Sequence, residues 1–512
     1  MSTTISTAIG EERRSRVSGY AINKGFFDND TPNLPQVIVI FGEANTANQG
    51  TLDLSKKEFT NADDVGKRYG YGSPLHQMAR IFRPTGSDGV GGIPTLIIPQ
   101  ASDEDAEASE FKFTIVGNAT KNATHSVVVA GRENLDFSPY SYSVKAGDTP
   151  TQLAAKIVDA INSVPNSPVV AAVVAGAVFT VTTKWKGETT KALKVTFNTN
   201  GDAAGVTYST TDYTAGSGDV SLAAAFAQME EDEWNTILVN PYQIGAIDHL
   251  AEFEEFNGFP FDENPTGRYE GRIFKPFMAF FGSVASVISE LTDVTDADDR
   301  KNNCTNVLCP APNSPAFPWE AAANAARLFA RTMQDTPHLD VNGQSYPDMP
   351  VPADGLISGM SEYNNRDLLV KKGCSTVILS KGAYQIQDLV TTYHVEGESP
   401  LQYSYCRNLN LDWNFSFAYR ILENLYVKDR VLVRDNQATD VKKSIRPVEF
   451  KAIVFELIDD MAVRALIAEP DFSKKSTRVQ ISGTNPDRLE TFLRYKRTGI
   501  ARIESTTVEA GY

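Results

Sequence analysis

Five histidines are the first residues to test for chemistry, because imidazole titrates near neutral pH and binds metal ions. His76, His125, His249, His338 and His394 are scattered through 512 residues, with no pair at a helical spacing that would clasp a metal. No His-Glu-x-x-His occurs, and no Gly-x-Ser-x-Gly marks a nucleophile elbow. Gly66-Lys67 is placed to imitate a phosphate loop, but Arg68 follows where Ser or Thr would hold magnesium, and no upstream glycine fits. The run Gly86-Ser87-Asp88-Gly89-Val90-Gly91-Gly92 has the wrong spacing for a dinucleotide site and precedes a strand instead of a helix. It reads as a flexible loop.

The acidic and sulfur-bearing residues lead to the same result. Asp296, Asp298 and Asp299 lack the turn glycine and closing glutamate of a calcium loop. Glu230-Glu231-Asp232-Glu233 falls at a predicted helix end and reads as a solvated face. Cys304 and Cys309 are five apart, while Cys374 and Cys406 stand alone. Without a Cys-x-x-Cys pair they read as reduced, buried thiols that pack as small hydrophobes. The Asn-Ala-Thr triplets at Asn118 and Asn122 match a glycosylation acceptor, which has meaning only in a secreted chain. No catalytic, cofactor-binding or metal-binding residue is expected, and the chain reads as a non-enzyme.

The elements that would have to position a site are more legible. Residues 37–41 are apolar without alternation, as in a strand buried on both faces, and residues 95–98 repeat the pattern. Between them Ser73 caps a helix that Pro74 opens, with Leu75, Met78, Ala79 and Phe82 on one face. The alternation resumes after residue 220. Leu222, Phe226 and Met229 predict a helix, 236–239 a strand, and Ile247, Leu250 and Phe253 a helix. Residues 277–281 then predict a strand, and Val284, Val287, Ile288 and Leu291 a helix. Strands alternating with helices of this length imply a mainly parallel α/β sheet.

The intervening stretch differs. An acidic linker at 102–107 leads into Thr-, Val- and Tyr-rich segments at 140–144, 178–182 and 193–197 that read as half-buried strands. One helix interrupts them, capped by Thr149 and striped by Leu153, Ile157, Ile161 and Val164. After residue 371, strands are predicted at 375–379 and 389–393, and helices at 407–428 and 448–468, the second stopped by Pro470. Residues 16–22 and 499–508 are extended stretches at opposite ends of the chain with no strand beside them to pair with.

Length and charge bound the whole. At 512 residues the chain exceeds a single core, so about three domains are expected. Hydrophobic residues at 41% and charged residues at 22% match a globular protein, and no run approaches the roughly 18 apolar residues of a membrane span. The polar stretch 1–16 holds no secretory signal, so synthesis in a cytoplasm is expected. The net charge is −16, yet residues 441–512 carry 13 Lys and Arg against 10 Asp and Glu. That asymmetry fits a C-terminal part facing an acidic partner, whether nucleic acid or protein, and equally a chance fluctuation of surface charge.

Taken in order, several segments resemble the tail sheath proteins of Mu-type contractile phages. Leu34-Pro35-Gln36-Val37-Ile38-Val39-Ile40-Phe41-Gly42 is similar to the family's first core strand, and Tyr69-Gly70-Tyr71-Gly72-Ser73-Pro74-Leu75 to its helix start. Val144-Lys145-Ala146-Gly147-Asp148-Thr149 resembles the inserted β domain. Asp232-Glu233-Trp234-Asn235-Thr236-Ile237-Leu238-Val239-Asn240-Pro241-Tyr242 is the most specific stretch. Pro318-Trp319-Glu320-Ala321-Ala322-Ala323 and Asn485-Pro486-Asp487-Arg488-Leu489 complete a series running through residues 34–495. The first 30 residues match least, and the ending after Arg494 departs from the family's apolar strand.

The resemblance implies a multidomain α/β and α+β fold. A mainly parallel α/β core would comprise 36–105 and 216–370, with an inserted β-rich peripheral domain at 106–215. A C-terminal α+β domain at 371–498 would lie nearest the tube, and arms at 1–35 and 499–512 would place strands in neighbouring subunits. It implies a structural subunit that polymerises helically around a tail tube and contracts to drive the tube through the host envelope. The implied partners are further copies of the chain, the tail tube protein, and baseplate and tail terminator proteins, with no nucleic acid, no membrane insertion and no cofactor. The implied location is the virion tail, assembled in the host cytoplasm. The candidate inter-subunit residues are Arg16, Val17, Gly19, Tyr20, Ile22, Ile500, Arg502, Ile503, Thr507 and Val508. The candidate tube-facing residues are Arg488, Arg494, Lys496 and Arg497. The inserted domain is expected on the outside, where it tolerates deletion best. A capsid-like particle protein, an α/β enzyme with an unrecognised site, and a sheath serving a tailocin are the competing readings.

Overall fold

The computed structural model describes residues 32–244, 247–260, 265–395 and 403–511. The candidate arm residues Arg16, Val17, Gly19, Tyr20 and Ile22 lie outside them. At the centre is a six-stranded sheet with the order Asn306–Pro310, Met278–Ser283, Ile237–Val239, Ile38–Glu43, Thr95–Gln100 and Lys57–Glu58. All pairings are parallel except that of the short edge strand Lys57–Glu58. Ile38–Glu43 is buried at all six residues, which is why its sequence shows no alternation. Helices cover it on both sides. Pro74–Phe82 begins where the Ser73 hydroxyl accepts the His76 amide at 3.2 Å. Pro318–Asp335 lays Trp319, Phe329 and Met333 into the core.

Residues 110–214 leave this sheet and return to it. They form a four-stranded antiparallel sheet in the order Thr207–Thr214, Glu110–Val116, Val178–Thr183, Val169–Ala175. A three-stranded sheet of Val195–Asn198, Ala123–Val129 and Ser141–Val144 lies beside it. The helix Pro150–Asn162 opens with a capping box between Thr149 and Gln152. The insert does not have a core of its own. One continuous apolar cluster runs from Ile38, Ile40 and Trp319 into Phe113, Val127, Leu153 and Trp185. Trp185 is fully buried, its ring 5.7 Å from Phe317 and 6.1 Å from Trp319.

The helix Cys406–Tyr426 joins two cores. Cys406, Leu409 and Trp413 belong to the cluster around the parallel sheet, whereas Leu411, Phe415 and Ala418 belong to a separate C-terminal cluster. That second cluster is closed by Phe450, Val454, Leu457 and Ile458 of the helix Pro447–Val463. The hairpin Thr376–Ser380/Ala383–Asp388, which follows the expected boundary at 371, packs Val377, Tyr384 and Ile386 into the first cluster.

Several elements differ from the sequence reading. The helix expected from Val284 begins only at Ile288, because Asn313 and Gly359 donate their amides to the Val284 and Ser286 carbonyls. No strand forms at 389–393. There Thr391 bonds Ser404, Thr392 bonds Asn306 and His394 bonds Lys301, so the backbone is satisfied by three different segments; the strand is instead Ala383–Asp388. The helix expected over 448–468 ends at Val463, where Ala465 turns left-handed at φ 55°. Ile467–Ala468 then pairs antiparallel with Lys496–Arg497, and Pro470 opens a new helix, Pro470–Ser476, instead of stopping one. The helix around Leu222 is a single turn, Ala223–Phe226.

Candidate functional site

The residues best equipped for chemistry are held in structural roles. His249 lies between two carboxylate oxygens, Asp219 2.7 Å from Nε2 and Glu252 2.6 Å from Nδ1, so both ring nitrogens are engaged. His76 is buried and accepts the Gly72 amide at 3.1 Å; burial pushes its pKa down to about 3, which keeps it neutral. His394 bridges the Thr392 carbonyl and Asp296. All four cysteines are buried and unpaired, and burial pushes the Cys304 thiol up to about 12. Among the described residues no group of three His, Cys, Asp or Glu converges as a metal site, and no helix is long and apolar enough to cross a membrane.

Open α/β sheets place ligands beyond the carboxyl ends of their strands, where the strand order reverses. Here that crevice lies after Glu43, Gln100 and Val239, and it is filled. Thr189 of the insert donates to Glu43 Oε1 at 2.8 Å and in turn accepts the Trp185 indole at 3.0 Å. Tyr242 closes the other side by donating to Gln100 Oε1 at 2.5 Å. Glu43 is fully buried with Oε2 unpartnered, and burial pushes its pKa up to about 7.

The chain ends offer a different kind of site. At both ends the described chain lies against one face of the helix Cys406–Tyr426. On the N-terminal side Asn414 Oδ1 accepts the Leu34 amide at 2.8 Å, Asn410 Oδ1 accepts Gln36 Nε2 at 3.2 Å, and Arg464 donates to Asn33. On the C-terminal side Arg407 grips the Thr498 carbonyl at 2.8 Å and its hydroxyl at 2.9 Å, while also bonding the His338 carbonyl. Arg502 pairs with the buried Asp340 and lies 3.7 Å over the Tyr405 ring. Ile500 is half-buried, and beyond Arg502 the body loses hold of the chain. Thr507 is exposed, as are Ile503 at 85% and Val508 at 82%, and residues 499–511 join no ladder. Two branched apolar side chains in an unpaired extended segment have nothing to bury against within the described residues.

The four tube-facing candidates divide. Arg488 sits at the tip of the hairpin Arg478–Ile481/Leu489–Phe492 and reaches Glu490 at 3.1 Å, and Arg494 is exposed over the Phe492 ring. Lys496 pairs with Glu469 at 2.7 Å above the Phe472 ring. Arg497 is turned inward: its Nε donates to Asp412 Oδ1 at 2.7 Å, and Tyr495 donates to the same oxygen at 2.6 Å. The hairpin Arg478–Ile481/Leu489–Phe492 is a two-stranded ladder with no third strand on either edge among the described residues. The anchors Arg407, Asp340, Tyr405 and Asp412 escaped the sequence reading, since their partners lie 69 to 162 residues away. The available signal was the polar set Arg407, Asn410 and Asn414, at helical spacing along the helix Cys406–Tyr426.

No family model matches the chain. A curated relative, the Mu-like prophage FluMu tail sheath protein of Haemophilus influenzae, is 28% identical over 177 residues, which is 34% of this chain and 34% of the relative. The matched segment thus spans about a third of the length of that relative. Among solved structures, the sheath tail protein from Desulfitobacterium hafniense is 11% identical with a TM-score of 0.44, covering 94% of this chain and 100% of that one. The sheath tail protein from Listeria innocua is 9% identical with a TM-score of 0.45, covering 92% and 94%. The contracted helical sheath of the anti-feeding prophage is 8% identical with a TM-score of 0.43, covering 98% and 99%.

Proposed function

We propose that this protein is the sheath subunit of a contractile tail, a structural protein that polymerises around an inner tube and shortens to drive it through a host envelope. The observation that carries the reading is the match to a Mu-like prophage tail sheath protein. The open C-terminal segment suits it physically: an extended chain with unpaired backbone groups and exposed Ile503 and Val508 is completed by the sheet edge of another copy. The two-stranded hairpin Arg478–Ile481/Leu489–Phe492 has two such edges and is marginal alone, which makes it the acceptor in this reading. A contact in which one end of a copy enters the body of the next does not close on itself and generates a helical polymer. The further partners are the tube protein, met by the basic C-terminal part with Arg488 and Arg494 outermost, and the baseplate and terminator proteins at the ends of the polymer.

Negative-stain electron microscopy of the purified full chain is the direct test. Tubes are expected. Closed shells would transfer the protein to the capsid-like reading, and a dispersed monomer at high concentration would remove the polymer altogether.

A further inference from the structure

The four-stranded sheet of the insert ends on one side in Val169–Ala175, whose sequence Val-Val-Ala-Ala-Val-Val-Ala carries no charge and no proline. Val170, Val173 and Val174 are each about half exposed, at 45%, 45% and 54%. A seven-residue apolar edge strand of this kind is a template for pairing with any other chain. A protein that reaches high local concentration has reason to disarm it.

The outward-pointing backbone groups of this strand follow from its register. Lys184 donates its amide to the Pro168 carbonyl at 3.0 Å, so in this alternating register Val170, opposite Thr182, and Ala172, opposite Thr180, face the partner strand, and the groups of Val169, Ala171 and Val173 point away from the sheet. At two of these three positions both groups are already taken by side chains. Ser167 Oγ accepts the Val169 amide at 3.3 Å and donates to the Val169 carbonyl at 3.0 Å. Asn162 Oδ1 accepts the Ala171 amide at 3.0 Å, and Asn162 Nδ2 donates to the Ala171 carbonyl at 2.9 Å. Ser167 and Val169 are buried, so that cap satisfies groups water cannot reach. Asn162 is exposed, and water would satisfy the Ala171 groups equally well there, so its distinctive effect is that another strand cannot align at Ala171 without displacing it. The opposite edge, Thr207–Thr214, is polar, carries Asp212, and is broken by a register shift between Thr210 and Asp212. Both edges of the sheet are therefore defended, by different means.

We infer that Asn162 is an edge blocker: it closes the valine-rich border of the insert to strand addition by other molecules. This holds whatever the chain as a whole does, because it depends only on the register and the two hydrogen bonds of Asn162 to Ala171.

The test compares the full-length protein with the variant Asn162→Ala at 37 °C, followed by thioflavin fluorescence and by electron microscopy for lateral association of particles. A several-fold rise in dye binding with side-to-side clustering is expected of the variant. A third protein adds Val173→Lys, which places a charge on the opened edge without restoring the cap. It is expected to return both readouts to the starting level. No rise in the Asn162→Ala variant overturns the inference. A rise that Val173→Lys fails to reverse also overturns it, since the cause would then be loosening of the insert and not an opened edge.

Discussion

Glu43 shows how far one buried carboxyl can shape the pH response of the whole chain. Its folded pKa of about 7 lies above the ordinary 4.5, because burial disfavours the charge and only Oε1 has a partner. A raised carboxyl pKa means the folded state holds the proton more tightly than the unfolded state. The associated stability is fully present below about pH 4.5 and is lost as pH rises through 7. A shift of that size corresponds to on the order of 3 kcal/mol. Glu43→Gln keeps the shape and can keep the Thr189 bond without the charge. Thermal melts at pH 5 and pH 8 are expected to show little difference at the lower pH and a higher midpoint for the variant at the upper one. Equal midpoints at both would mean that the Glu43 pKa is not raised by folding. Arg497 makes the contrasting case. Its removal leaves Asp412 half-buried with Tyr495 as its remaining close partner, so Arg497→Ala is expected to cost about 2–3 kcal/mol of C-terminal stability. Arg488→Ala, at an exposed hairpin tip, should leave the melt unchanged and alter only what that tip touches.

At the scale of elements, the C-terminal segment divides at Arg502. Up to that residue it is part of the body, held by Arg407 at Thr498 and by Asp340 and Tyr405 at Arg502. Truncation before Ile503 removes only the exposed part, whereas truncation before Gly499 also takes away Arg502 and leaves the buried Asp340 without its cation. The shorter truncation is therefore the cleaner test of strand donation. It is expected to yield a folded monomer with an unchanged melt that forms no tubes by electron microscopy; tubes of normal width from that protein would sink the arm as the polymer contact. The same helix, Cys406–Tyr426, holds the N-terminal entry through Asn410 and Asn414. Asn414→Leu should loosen the entry at Leu34, read as faster hydrogen exchange at that amide.

At the scale of the molecule, the insert is less separable than the resemblance implies. Trp185 packs on Phe317 and Trp319, and Arg132 pairs with Glu320 at 2.6 Å. Thr189 supplies the hydroxyl on Glu43. Deleting residues 106–215 uncovers a buried aromatic cluster and a buried carboxylate of the parallel core, each costly to expose or leave unpaired. The expected outcome is an aggregating protein; solubility should return when Phe317 and Trp319 are also changed to polar residues. Expression of the two deletion variants side by side, scored by the soluble fraction, decides it.

What the residues alone determined is local or periodic. The unalternating run at 37–41 demanded a strand buried on both faces, and Ser73-Pro74 and Thr149-Pro150 demanded helix starts, because cap geometry and burial period act within a few residues. The lack of any spaced catalytic set was equally local. Tertiary structure alone decided where backbone groups find partners across long distances. It dispersed 389–393 among three segments, ended a helix at Ala465 despite continuing apolar periodicity, and turned Pro470 from a stop into a start. It also turned Arg497 inward to Asp412 while leaving Arg488 and Arg494 at the surface. A side chain's partner 80 residues away leaves no trace in spacing, because which charges meet is set by how the cores pack, and that packing is a property of the whole chain.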